Sequence, residues 1–126
     1  MSDTDLISLA KRARQSAYAP YSGFMVGSAL LTRSGKVFCG CNVENAAFGA
    51  CTCAERGAIS AAVLAGETDF VALAVIGSSE KHCTPCGICR QILAEFSTNC
   101  RVLCANENSD FVVRTACELL PDGFTL

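Results

Sequence analysis

The sequence has no run of lysine or arginine, no apolar stretch approaching the roughly 18 residues of a membrane-spanning helix, and no internal repeat or linker. With a formal charge of -2, it has little electrostatic basis for gripping a phosphate backbone or an anionic membrane, so neither nucleic acid nor membrane is expected as a partner. Met1 to Asp5 is acidic where a secretory leader would be basic, and the expected location is cytoplasmic. Charged residues are sparse and glycines are scattered, which argues against disorder and for a packed globule. At 126 residues the chain has the size of one domain, 1–126, able to bury a core without disulfides. The single histidine, His82, reads as a loop residue.

Cysteine is abundant instead, with ten in all. In a secreted chain they would suggest a disulfide framework, but no export signal supports one. In a reducing compartment most cysteines act as small buried hydrophobes and a minority bind metal or do chemistry. Cys39, Cys41, Cys100, Cys104 and Cys117 lie in or near apolar segments and are expected to pack.

Apolar positions at helical spacing predict an amphipathic helix over Asp5–Ala17. A hairpin of Phe24–Thr32 and Val37–Asn42 follows, joined by Arg33-Ser34-Gly35-Lys36. After a loop, Thr52-Cys53-Ala54-Glu55 has the form of a capping box and opens an alanine-rich helix reaching Gly66. Phe70–Gly77 reads as a buried strand, and Thr84-Pro85 opens a helix to about Phe96. Short strands at Arg101–Ala105 and Phe111–Arg114 precede a brief helix from Thr115, with Glu118 three residues on. This order predicts an α/β fold, a three-layer α/β/α arrangement around a mixed sheet of about five strands. Both cysteine-bearing helix starts should meet at one end of the sheet.

Cys86-Gly87-Ile88-Cys89 places two sulfurs on one helix face at a separation that zinc can span. The same pattern serves redox dithiols, but here Cys53 opens a second helix. Helix starts favour thiolates, and three thiolates leave one tetrahedral position open, as catalytic zinc requires. Glu55, two residues beyond Cys53, lies within reach of a water there. Alone it would be the partner of Thr52 in a capping box; beside three zinc-spaced cysteines it becomes the candidate general acid/base. Cys-x-Glu with Pro-Cys-x-x-Cys is the known signature of zinc deaminases. Two alternatives remain open at this point: a closed site in which Cys51 or Cys83 is a fourth ligand, and a non-catalytic structural zinc module.

Cys41-Asn42-Val43-Glu44-Asn45-Ala46, Cys53-Ala54-Glu55-Arg56 and Pro85-Cys86-Gly87-Ile88-Cys89-Arg90-Gln91 resemble the small, homotetrameric, zinc-dependent cytidine deaminases. Tyr18-Ala19-Pro20-Tyr21-Ser22 and Leu119-Leu120-Pro121 extend the likeness over nearly the whole chain. The resemblance implies deamination of cytidine and 2'-deoxycytidine to uridine and 2'-deoxyuridine by a zinc-activated hydroxide, in pyrimidine salvage. It implies one zinc per subunit on Cys53, Cys86 and Cys89, with Arg56 hydrogen-bonding the ligand sulfurs and withdrawing negative charge. It further implies that Phe24 stacks on the pyrimidine, that Asn42 and Glu44 hold the ribose hydroxyls, and that backbone groups near Ala54 and Thr84 read the base edge. Ala46, Phe48 and Phe124 match positions through which neighbouring subunits complete each other's sites; many relatives carry tyrosine where Phe48 stands. A carboxylate at Glu44 opposes a nearby phosphate, so free nucleosides are expected as substrates rather than nucleotides.

Overall fold

In the computed structural model, which describes residues 1–126, the chain starts with a helix, α1 (Asp3–Arg14), fixed by a reciprocal cap. The Ser2 hydroxyl accepts the Asp5 N–H at 3.1 Å, and the Asp5 carboxylate accepts the Ser2 N–H at 3.2 Å. Lys11, Arg12 and Arg14 in its last turn complement the negative end of the helix dipole. The helix therefore begins before Asp5 and ends before Ala17, the bounds that apolar spacing suggests.

The expected hairpin forms as β1 (Val26–Thr32) and β2 (Val37–Cys41), antiparallel from Gly27 opposite Cys41 to Leu31 opposite Val37. Phe24 falls outside the strand. Its N–H goes to the Ser22 hydroxyl and its carbonyl to the Asn42 amide, so side chains hold it where a ladder would otherwise begin. The strand β3 (Phe70–Gly77) pairs antiparallel with β1 and parallel with β4 (Arg101–Ala105), which pairs antiparallel with β5 (Phe111–Thr115). The order is β2-β1-β3-β4-β5, a mixed five-stranded sheet. A parallel pair needs a crossover, and between β3 and β4 it is supplied by α3 (Gly87–Phe96).

Alternation along β3 divides the interior into two layers. Ala72, Ala74 and Ile76 meet Leu6, Ile7 and Ala10 of α1. Leu73 and Val75 face the opposite way, toward Ala58, Ile59 and Ala62 of α2 (Ala54–Leu64) and Leu93 of α3. Because β3 is covered on both faces, its sequence is an unbroken apolar run. The chain closes with a short helix, α4 (Ala116–Leu119), where Thr115 and Glu118 form the expected capping box. No helix is long and apolar enough to cross a membrane.

Two glycines set how closely helices approach the sheet. A Cβ at Gly27 would lie 2.0 Å from the Ala10 carbonyl oxygen, and one at Gly40 would lie 2.2 Å from that of Ala54. Backbone therefore packs on backbone at both places, and the second fixes the N-terminus of α2.

Three local expectations fail. The Thr52 capping box does not form: Cys53 is the N-cap, Glu55 is one residue short of the position a box requires, and the Thr52 hydroxyl turns to the Ala50 carbonyl at 3.4 Å. The helix after Thr84-Pro85 starts only at Gly87, with Cys86 as its N-cap. Cys100 and Cys104 pack as expected, but Cys39 and Cys117 are exposed, the first on edge strand β2 and the second on the short α4.

Candidate metal centre and active site

The caps explain how the cysteines meet. Cys53 and Cys86 end the loops that enter α2 and α3, and neither helix has a side chain capping its first N–H groups. Two positive helix ends thus converge on sulfur. Cys89 follows one turn into α3, and the three Sγ atoms lie within 4.8 Å of one another. The Cys53 and Cys86 sulfurs are 3.7 Å apart. A tetrahedral zinc with Zn–S bonds of about 2.3 Å needs sulfurs about 3.8 Å apart, so the donor set fits that ion.

Charge fits as well. The Cys53 thiol is pulled down to about 5, chiefly by hydrogen bonds with Cys89 and then Cys86, against the cost of burial and with help from Arg56. Cys89 is pushed up by the same hydrogen bond with Cys53 and by burial, so the two thiols share one proton tightly. The Arg56 side chain donates to the Cys51 carbonyl at 2.7 Å, while its buried Nε has no partner. A buried guanidinium N–H without an acceptor beside a thiolate cluster is a donor available to ligand sulfur.

Neither proposed fourth ligand joins the cluster. Cys51 sulfur accepts the Asn45 N–H at 3.3 Å. Cys83, pushed up to about 12 by burial first and then by the Glu55 charge, has its sulfur outside the three-sulfur cluster. The cluster has three sulfurs, leaving the open geometry of a catalytic site.

Glu55 is 4% exposed, and burial raises its carboxyl to about 6. It lines a cavity of about 210 Å³ with Cys53 and Cys86, beside Phe24, Asn42, Ala54 and Thr84. The structure thus gathers in one place the residues expected to do chemistry and those expected to hold the base. Glu44 and Phe48 line an adjoining shelf of about 410 Å³ that shares Asn42 and Cys53 with the cavity. The Asn42 side chain is already engaged at both ends: Oδ1 accepts the Val26 N–H at 2.8 Å and Nδ2 donates to the Phe24 carbonyl at 2.8 Å. One N–H and one lone pair remain for a ligand.

Ala46 and Phe124 do not reach this cavity within the chain. Ala46 is exposed in the loop after Glu44, and Phe124 lies on a terminal segment tied to Gln91 by hydrogen bonds of 2.8 and 3.1 Å. Sequence reasoning counted Tyr21 and Ser22 in the family likeness but gave them no site role, and it set Cys83 aside, although Cys83 forms part of the cavity wall. Tyr21 and Ser22 lie in a turn with no periodic pattern, and the spacing of Cys83 from Cys86 drew attention to metal rather than to the pocket.

The family model for the cytidine and deoxycytidylate deaminase zinc-binding region matches residues 1–105. The chain is 45% identical over 121 residues to a cytidine deaminase of Sporosarcina psychrophila, covering 95% of this chain and 89% of that protein. A cytidine deaminase structure from Burkholderia pseudomallei superposes with a TM-score of 0.95 at 49% identity, over 98% of this chain and 100% of the other. One from Mycobacterium tuberculosis gives 0.86 at 36% identity, covering both chains completely at 100%.

Proposed function

The chain belongs to the cytidine and deoxycytidylate deaminase family, and we propose that it hydrolyses cytidine and 2'-deoxycytidine to uridine and 2'-deoxyuridine with release of ammonia. The observation that carries this is the buried Glu55 carboxyl in one small cavity with a three-sulfur metal site.

Water must attack C4 of the pyrimidine, and the exocyclic amine must leave. Cys53, Cys86 and Cys89 would hold a zinc ion, which when bound would lower the pKa of the attacking water. Glu55 takes a proton from the attacking water and delivers it to ring N3 so that C4 becomes electrophilic, then takes the second proton from the new C4 hydroxyl and delivers it to the departing amine. Burial supports this double duty, since a carboxyl raised toward neutrality both accepts and donates near pH 7. Phe24 offers its ring to the base, while backbone groups of Ala54 and Thr84 read its edge. Asn42, with its one spare N–H, and Glu44 receive the sugar. Three thiolates exceed the ion's two positive charges, and Arg56 offsets the excess through its unpartnered Nε.

The chain is read as a single domain, 1–126, of a cytoplasmic enzyme of pyrimidine salvage. It works as a homotetramer in which Ala46, Phe48 and Phe124 complete neighbouring sites. Supporting this, Phe48 is 84% exposed and Phe124 68% exposed, large apolar surfaces beside or beyond the cavity that a second copy would cover.

The test is the ultraviolet change as cytidine becomes uridine, run beside cytosine, CMP and adenosine with and without a chelator. Activity confined to the nucleosides of cytosine and abolished by zinc removal is expected. Glu55→Gln should keep one zinc per chain and a normal fold yet release no ammonia. A wild-type protein that binds zinc but converts no cytidine would instead be a structural module.

A further inference from the structure

The geometry points to Ser22 as a positioning residue whose single hydroxyl sets both the carboxylate that meets the sugar and the backbone that carries the ring stacked on the base, a role that rests on the function proposed above. Glu44 receives every one of its hydrogen bonds from one turn. The N–H groups of Tyr21 and Ser22 donate to Oε1 at 2.9 and 3.1 Å, and the Ser22 hydroxyl donates to Oε2. That hydroxyl oxygen also accepts the Phe24 N–H at 3.0 Å. On its far side, the Phe24 carbonyl is held by Asn42 at 2.8 Å. Phe24 is therefore clamped through both backbone groups by side chains, just ahead of the strand ladder that begins at Val26.

The chemistry of a hydroxyl suits this junction. Its one proton goes to the carboxylate and one lone pair to the amide, so Ser22 satisfies both neighbours at once. Oε1 is filled by the two N–H groups, and Glu44 retains one lone pair, on Oε2, for a sugar hydroxyl. Hydrogen bonds to Ser22, led by its hydroxyl, also hold the Glu44 carboxyl below the usual range, which keeps it in the ionised, accepting form. No other hydroxyl in the structure bonds both Glu44 and Phe24. Glu55 and the three cysteines lie outside this set of bonds, so losing the hydroxyl should disturb substrate placement more than proton transfer.

The experiment compares wild type, Ser22→Ala and Ser22→Thr on cytidine and on 2',3'-dideoxycytidine, with zinc content and melting temperature measured for each. Loss of one charge-assisted hydrogen bond corresponds to roughly a tenfold rise in KM for cytidine in Ser22→Ala, with a smaller change in kcat. Ser22→Thr should restore KM. The dideoxy substrate, which offers Glu44 no ring hydroxyl, should show a markedly smaller KM change. An unchanged KM for cytidine in Ser22→Ala, an equal rise for both substrates, or failure of Ser22→Thr to restore KM would overturn the role while leaving the deaminase function standing. A wild-type chain inert toward cytidine would overturn both.

Discussion

Gly40 is where the fold places its catalytic helix, and Gly40→Ala is the most direct way to move that helix. A Cβ built there lies 2.2 Å from the Ala54 carbonyl oxygen and 2.7 Å from the Ala58 nitrogen, both backbone atoms of α2 that no rotamer change can clear. Ordinary contact needs about 3.4 Å, so strand and helix must separate by about 1 Å. Forced separation of packed backbone costs about 1–3 kcal/mol. At roughly 3–6 °C per kcal/mol for a domain of this size, the melting temperature should fall by about 3–18 °C. The displaced end is the one that carries Cys53 as N-cap and Glu55 in the first turn. A shift of about 1 Å there is enough to spoil a 3.7 Å sulfur spacing, so zinc affinity and turnover should fall together. The control lies directly opposite. A Cβ at Gly57 meets nothing nearer than the Gly40 Cα at 3.6 Å, and alanine favours a helix interior over glycine by about 1 kcal/mol. Gly57→Ala should therefore hold or raise stability with zinc and activity intact. Thermal unfolding with and without chelator, zinc titration and cytidine turnover on the two variants decide the matter. Equal behaviour of the pair, in either direction, would refute the argument from close approach.

Arg56→Ala should leave a folded chain whose zinc affinity and turnover each fall by about tenfold, the scale on which groups behind a metal's ligands act; unaltered kinetics and zinc competition would count against it. Arg101 holds Asp3 through bonds of 3.0 and 2.6 Å and, chiefly by hydrogen bonding, keeps the Asp3 carboxyl below its ordinary 3.8. A lowered carboxyl stabilises the fold above its unfolded value and loses that contribution as pH falls through the folded one. Both groups are partly exposed, so Arg101→Ala should cost only about 0.5 kcal/mol near neutrality. That difference should vanish in denaturant titrations carried below the folded value of Asp3, and a difference that grows with acid would be the wrong sign.

Much of this protein was decided locally. Strand β3 could be read to the residue because a run covered on both faces is apolar throughout, and the terminal cap at Thr115 and Glu118 because a capping box is a four-residue device. The sulfur trio and Glu55, which the fold gathers at one cavity, could be picked out as candidates because zinc needs soft donors at fixed spacing and proton transfer needs a carboxylate beside them. Helix starts were less so. Thr52 and Thr84-Pro85 lie just ahead of the real starts, yet Cys53 and Cys86 became the caps, because the loops entering both helices are held by pairings outside them, Thr52 with Val43 and the Cys83 N–H with the Ala105 carbonyl.

What composition and spacing left open was whether a fourth cysteine joins the trio and what surrounds Glu55. Spacing favours Cys53, Cys86 and Cys89, yet along the chain Cys51 and Cys83 lie close enough to serve as a fourth ligand. Only the packing of α2 and α3 on one face of the sheet brings three of their sulfurs within 4.8 Å and turns Cys51 to a loop amide and Cys83 into the pocket wall. Burial did the rest: the same carboxylate that would cap a helix on the surface has its proton affinity raised by the loss of water around it. The sequence by itself therefore determined the elements, the candidate donors and the candidate carboxyl, each set by short-range pattern. Tertiary structure decided that three sulfurs and no more gather, that Glu55 is buried beside them, and how the turn at Ser22 meets Glu44, since each depends on distances between residues far apart along the chain.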